Sequence, residues 1–125
     1  MKVRIYYHDT DCGGVVYYAN YLKYLEQGRT EFLEDKGISI GELSGDGVLF
    51  VVARQEIDYK APAYYADTLE VITRLEDISH VKMVLSSQIK NQDGKTICLA
   101  RTILVCVGKD LKPMALPQDV RKALE

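Results

Sequence analysis

Two carboxylates, Asp9 and Asp11, precede a glycine pair, Gly13 and Gly14, in the run Tyr7-His8-Asp9-Thr10-Asp11-Cys12-Gly13-Gly14-Val15-Val16-Tyr17-Tyr18-Ala19-Asn20-Tyr21. A carboxylate can attack a carbonyl carbon or take a proton from water. Consecutive glycines interrupt regular structure, adopt positive φ freely and let the backbone approach a ligand closely. The apolar period of a helix begins just downstream, near Tyr17. A first helical turn offers unpaired N–H groups and about half a unit of positive charge, suited to a developing oxyanion. The segment therefore sets an acid or base beside an electrophile-stabilising group. A plainer reading of the same triplet is that both aspartates cap a turn through nearby backbone.

Other chemistries fit the chain poorly. Gly94-Lys95-Thr96 has the ending of a phosphate-binding loop, but Ile89 stands where the first glycine belongs, and a hairpin turn is expected instead. No GxSxG motif is present, and His8 and His80 lie in no HExxH or Cys/His cluster, so no metal site is expected. Cys12 has no histidine placed by sequence to activate it and reads as a passive loop residue. Cys98 and Cys106, eight residues apart on one expected strand, would sit about 26 Å apart, beyond disulfide reach. All three cysteines are expected to be reduced thiols.

The elements that must position the loop follow from periodicity. Residues 2–8 alternate Val3, Ile5 and Tyr7 against Arg4, Tyr6 and His8, the pattern of a half-buried strand. From Tyr17 to Lys36, Tyr21, Leu25, Gly28 and Phe32 form one helical stripe, with Gly37 as C-cap. An interior glycine costs about 1 kcal/mol of helix propensity, so Gly28 points to close packing on a sheet. Residues 38–47 read as a helical turn or a loop. Strands are expected over Val48–Lys60, Asp67–Glu76, Ser79–Asn91 and Lys95–Val107, joined by three successive antiparallel connections. A short amphipathic end covers Gln118–Leu124. One long helix on one antiparallel sheet is an α+β domain.

The 125 residues suit one domain, and 47% hydrophobic with 27% charged residues is ordinary globular composition. A net charge of -2 without a basic run excludes a phosphate-tracking surface, so nucleic acid is not an expected partner. The longest apolar stretch, Val48 to Ala53, is far too short for a transmembrane segment, and the N-terminus lacks a signal peptide's apolar core. A cytoplasmic protein is expected. A domain this small buries only about two-thirds of its unfolded surface, and a site of any depth calls for a partner subunit.

The run DTDxxGVVYxxNY, followed by Leu22-Lys23-Tyr24-Leu25-Glu26-Gln27-Gly28-Arg29-Thr30-Glu31-Phe32, resembles the opening of the hotdog-fold acyl-CoA thioesterases. It is most similar to the 4-hydroxybenzoyl-CoA thioesterase-like branch that contains the YbgC proteins. Tyr59-Lys60-Ala61-Pro62-Ala63, Asp67-Thr68-Leu69-Glu70-Val71 and Lys112-Pro113-Met114-Ala115-Leu116-Pro117 extend the resemblance over nearly the whole chain. The resemblance implies a single hotdog domain over residues 1–125, one long helix wrapped by a five-stranded antiparallel sheet. It also implies a homodimer or homotetramer with the site at the dimer interface, and hydrolysis of an acyl-CoA thioester.

By that resemblance Asp11 is the catalytic carboxylate, either nucleophile or general base, and the Tyr18 backbone N–H polarises the thioester carbonyl. Gly14, Val16, Asn20 and Tyr21 belong to the implied substrate-binding segment, and His80 and Lys82 are candidates for the coenzyme A phosphates. Asp9 reads as loop architecture, and Glu26 with Arg29 as an ion pair on the helix. No cofactor is implied, coenzyme A being part of the substrate. Many YbgC relatives carry histidine where Tyr18 stands; a backbone N–H survives that exchange and a side-chain proton shuttle does not. The alternatives are a thioesterase acting on acyl carrier protein and a non-catalytic acyl-CoA-binding protein.

Overall fold

A computed structural model describes residues 1–125. In chain order its elements are β1 (Lys2–Arg4), a 3-10 turn (Tyr7–Asp9), α1 (Asn20–Asp35), α2 (Ile40–Gly45), β2 (Leu49–Tyr59), β3 (Thr68–Ile78), β4 (Lys82–Lys90), β5 (Thr96–Val107) and α3 (Gln118–Leu124). The strands form one antiparallel five-stranded sheet in the order β1-β3-β4-β5-β2, curled around α1 in the hotdog arrangement. Alternation explains the faces. Along β5, Cys98, Ala100, Thr102, Leu104 and Cys106 are buried towards the helical layer, while Leu99 is exposed on the opposite face.

The first strand is shorter than its alternation predicts. The Asp9 carboxylate accepts the Tyr6 N–H at 2.9 Å, and the Thr10 N–H and hydroxyl both reach the Tyr7 carbonyl. These bonds wind residues 7–9 into a turn and leave Tyr7 exposed instead of aligned with Val3 and Ile5. The long helix starts at Asn20 and not at Tyr17: Val15 and Val16 are still paired as extended chain, and the Tyr17 N–H donates to the Asp9 carbonyl at 2.9 Å, which holds the entry to the helix against the hairpin. Its other end is as expected: Gly37 has φ +81°, its N–H reaches Glu34 O, and the Ile38 N–H reaches Leu33 O. That is the paired bonding of a left-handed glycine stop. Residues 38–47 hold the short helix α2, capped by the Ser39 hydroxyl on the Glu42 N–H.

Gly28 packs as anticipated. A Cβ built there would lie 2.5 Å from Val71 Cγ1, so the glycine lets α1 lie directly on β3. Ile5, Tyr21, Tyr24, Leu25, Leu69 and Ile89 fill the core under this end of the helix; a second cluster, with Leu33, Met83 and Leu104, fills the other end.

The β3–β4 and β4–β5 connections are antiparallel neighbours as expected, the latter turning through Gly94 at φ +78°. The connection from β2 to β3 is not. β2 pairs with β5 at the far edge, Tyr59 opposite Cys98, and residues 60–67 cross three inter-strand spacings to reach β3, roughly 14 Å. Eight residues span that gap easily, and Pro62 lacks the N–H that a continued ladder requires. The expected Glu26–Arg29 ion pair is also absent. The Glu26 carboxylate accepts the Thr30 hydroxyl one turn on at 3.1 Å, and half-buried Arg29 has no carboxylate partner within the chain.

Candidate active site

The loop between the 3-10 turn and α1 is a small hairpin. Thr10 and Val16 pair across it, the Asp11 N–H donates to Val15 O at 2.9 Å, and the Gly14 N–H returns to Asp11 O at 3.0 Å. Gly14 closes this turn at φ +82°, a conformation that disfavours any side chain. Val15 pairs with Tyr64, and the Val16 N–H donates to Ala63 O at 2.8 Å. The β2–β3 crossing therefore fastens the hairpin from below.

Asp9 and Asp11 have diverged in role. Asp9 points inward: its carboxylate holds the Tyr6 N–H, and its carbonyl accepts both the Tyr17 N–H and the Asn20 side-chain amide, each at 2.9 Å. Tyr24 buries its hydroxyl beside the same carboxylate without closing a hydrogen bond. Burial first, and then the adjacent Asp9 carboxylate, as an acceptor and after that as a charge, raise the Tyr24 phenol well above the ordinary tyrosine value, so it stays neutral. Asp9 thus ties the hairpin to the helix. Asp11 points outward and is exposed. Its Oδ1 accepts the Gly13 N–H at 2.8 Å, and its Oδ2 has no partner within the chain. One oxygen is anchored and the other is free to react.

The helix start lies beside this carboxylate. Ala19 is the N-cap, no side chain caps the helix and no acidic residue occupies its first turn. The Asn20 N–H is held by Tyr17 O at 2.9 Å, whereas the N–H groups of Tyr18 and Ala19 make no hydrogen bond within the chain. Free donors and the positive end of the helix dipole therefore face no internal acceptor. Tyr18 itself sits two residues before the helix, with its ring largely exposed.

The structure brings Asp11, Gly14, Val16, Tyr18, Asn20 and Tyr21 into one segment, with unequal exposure. Val16 and Tyr21 are buried in the core, and burial pushes the Tyr21 phenol up to about 12. Asn20 spends its amide on Asp9. His80 and Lys82 are not brought to this segment within one chain. They sit at the β3–β4 turn, a strand length of roughly 30 Å from the hairpin. Sequence reasoning missed Tyr59, whose ring packs on Tyr18 and Tyr21 at centroid distances of 6.3 and 5.7 Å. Its place at the end of β2, on the same face as Ile57, was the available signal.

The thiols stand apart from this chemistry. Cys98 and Cys106 are fully buried, and burial alone pushes the Cys98 thiol up to about 12, so it remains protonated. Cys12 is exposed on the hairpin. In the native protein one thiol should react with an aromatic disulfide reagent and the other two only after unfolding. Cys12→Ser should keep kcat within about twofold; a hundredfold loss would instead make Cys12 the nucleophile.

None of the main surface hollows of the chain involves residues 9–21. One lies at the opposite end, lined by Ile38, Leu43, Asp46 and Val120. In a single chain the Asp11 side chain is exposed to solvent. The two sheet edges differ: β1 has three residues, whereas β2 has 11 and exposes Val51 and Val52. No helix is long and apolar enough to cross a membrane.

Residues 5–124 match the model of the thioesterase-like superfamily. The acyl-CoA thioester hydrolase YbgC of Escherichia coli O6:H1 is 38% identical over 119 residues, which cover 94% of this chain and 89% of that protein. A putative acyl-CoA thioesterase of Bacillus subtilis, YneP, is 36% identical over 114 residues, covering 90% and 83%. Among solved structures, a DHNA-CoA thioesterase from Staphylococcus aureus superposes with a TM-score of 0.94 at 27% identity, covering 98% of this chain and 85% of that one.

Proposed function

The chain belongs to the thioesterase-like superfamily, and from that premise we propose that it hydrolyses acyl-CoA thioesters with Asp11 as the catalytic carboxylate and the Tyr18 N–H as the oxyanion donor. The observation that carries this reading is the pairing of an anchored, half-free carboxylate with unpaired N–H groups. Asp11 Oδ1 is held by Gly13, Oδ2 is unengaged, and the Tyr18 N–H has no internal acceptor.

Two routes use these groups equally well. In the first, Oδ2 attacks the thioester carbon, the carbonyl electrons move onto oxygen, and the Tyr18 N–H stabilises that oxyanion. Collapse expels the coenzyme A thiolate and leaves a mixed anhydride, which water then hydrolyses. In the second, Oδ2 takes a proton from a water molecule as the water attacks the same carbon. Both routes need only groups within this segment and water, with coenzyme A leaving as part of the substrate.

The acyl group requires cover that one chain does not supply. The free edge of β2, long, exposed and partly apolar, fits antiparallel pairing with the same strand of a second copy. Such pairing joins two five-stranded sheets and walls the hairpin from the side. Light scattering at micromolar concentration should return a mass of at least twice 14.1 kDa; a monomer would contradict a site shared between copies.

The proposed activity is read by release of free thiol from a panel of acyl-CoA thioesters spanning chain length and aromatic acyl groups. At least one should be hydrolysed with kcat/KM of about 10⁴ M⁻¹ s⁻¹ or more, the usual floor for an enzyme on its own substrate class. Turnover of acyl carrier protein thioesters with no coenzyme A thioester turned over would move the assignment to the carrier protein.

A further inference from the structure

Tyr59 ends β2, 41 residues beyond Tyr18 in the chain, yet its hydroxyl donates to the Tyr18 carbonyl at 3.2 Å. That carbonyl belongs to the peptide joining Tyr18 to Ala19. The neighbouring peptide, joining Tyr17 to Tyr18, has its carbonyl held by the Asn20 N–H at 2.9 Å. Both peptides flanking the Tyr18 Cα are therefore held from their oxygen sides. Their N–H groups, those of Tyr18 and Ala19, lie on the other edge of each peptide and are left free.

The two restraints differ in origin. The Asn20 bond is local and forms with the helix start. The Tyr59 bond comes from the edge strand, and no side chain of the hairpin or of α1 substitutes for it. Without it the Tyr18 carbonyl has no partner within the chain, and only the bonds of the residues on either side, Tyr17 and Asn20, hold this peptide. The Tyr59 ring packs against the rings of Tyr18 and Tyr21, which directs the hydroxyl towards the carbonyl. Burial, more than the nearby Cys98 and Tyr18, raises the Tyr59 phenol above its ordinary value, so it remains a donor at neutral pH.

We propose that Tyr59 is a positioning residue for thioester hydrolysis: its hydroxyl holds the Tyr18–Ala19 peptide, which anchors the Tyr18 Cα from the side opposite the Asn20 bond and so keeps the adjoining Tyr18 N–H aimed at the oxyanion. The inference rests on the assignment of the Tyr18 N–H as oxyanion donor. It links the geometry of that donor to β2, the strand whose free edge fits a second copy.

Tyr59→Phe keeps the ring and removes only the donor. With the acyl-CoA most rapidly hydrolysed by the wild type, kcat should fall about three- to tenfold while KM stays within about twofold. Packing alone would leave kcat unchanged in this variant, because the ring contacts persist. Unchanged kcat, or a rise in KM at constant kcat, overturns the proposal; the second result makes Tyr59 a substrate contact. Asp11→Asn and Tyr18→Pro, assayed alongside, separate the two levels. If both are inactive and Tyr59→Phe has wild-type kcat, only the positioning role fails. If Tyr18→Pro matches Tyr18→Ala, the oxyanion assignment itself fails.

Discussion

Asp11→Asn lowers kcat by at least ~10²-fold, equivalent to ~2.7 kcal/mol of barrier, while leaving the fold and acyl-CoA affinity nearly unchanged. The amide matches the carboxylate in shape, and its carbonyl oxygen can still accept the Gly13 N–H that anchors Oδ1. Asp11 is exposed, so the exchange buries no unsatisfied group, and stability should stay within about 0.5 kcal/mol. What the amide cannot do is attack a thioester or take a proton from water. A nucleophilic Asp11 implies a loss beyond the general-base figure, since no covalent route remains. Asp9→Asn has the opposite profile. Its carboxylate accepts the Tyr6 N–H and sits beside the buried Tyr24 hydroxyl, so exchanging a charged for a neutral acceptor costs about 1 kcal/mol of stability and alters kcat mainly through the fold. Melting temperature and kcat for both variants separate the two aspartates.

Tyr18→Pro lowers kcat by about 10²–10³-fold relative to Tyr18→Ala, the usual cost of one oxyanion-hole donor. Proline removes the N–H, and because that N–H makes no hydrogen bond within the chain, no internal bond is lost with it. Alanine keeps the N–H and discards the ring, which is mostly exposed, so the pair isolates the donor from the side chain. Comparable melting temperatures would confine the difference to catalysis. Equal kcat in the two variants would mean that the oxyanion is stabilised elsewhere.

Much of this arrangement was legible in the chain because it is local. Alternation located the four long strands to within a few residues; β3, β4 and β5 carry buried side chains, whereas edge strand β2 buries none completely. Gly28 announced a close approach, and Val71 Cγ1 is the atom that demands it. The hairpin of Asp11 to Gly14 is written in its own carboxylate and glycines. The failures have a common cause in competition from polar side chains and distant partners. Alternation in residues 2–8 takes no account of a carboxylate at Asp9 that captures the Tyr6 N–H and ends the strand. Pairing of Glu26 with Arg29 takes no account of Thr30, one turn on, which engages the same carboxylate. The pairing of β2 with β5, and with it the reach of Tyr59 to Tyr18, depends on a crossover that no local pattern encodes. His80 and Lys82 lie at the β3–β4 turn, at the other end of the sheet from the hairpin of the same chain.

The most direct measurement is steady-state thiol release by wild type and Asp11→Asn at equal folded concentration, with binding of a non-hydrolysable acyl-CoA thioether recorded for both. A catalytic Asp11 gives turnover by the wild type, at least ~10²-fold less by Asp11→Asn, and thioether dissociation constants within about threefold of each other. Wild-type turnover by a folded Asp11→Asn protein would contradict it.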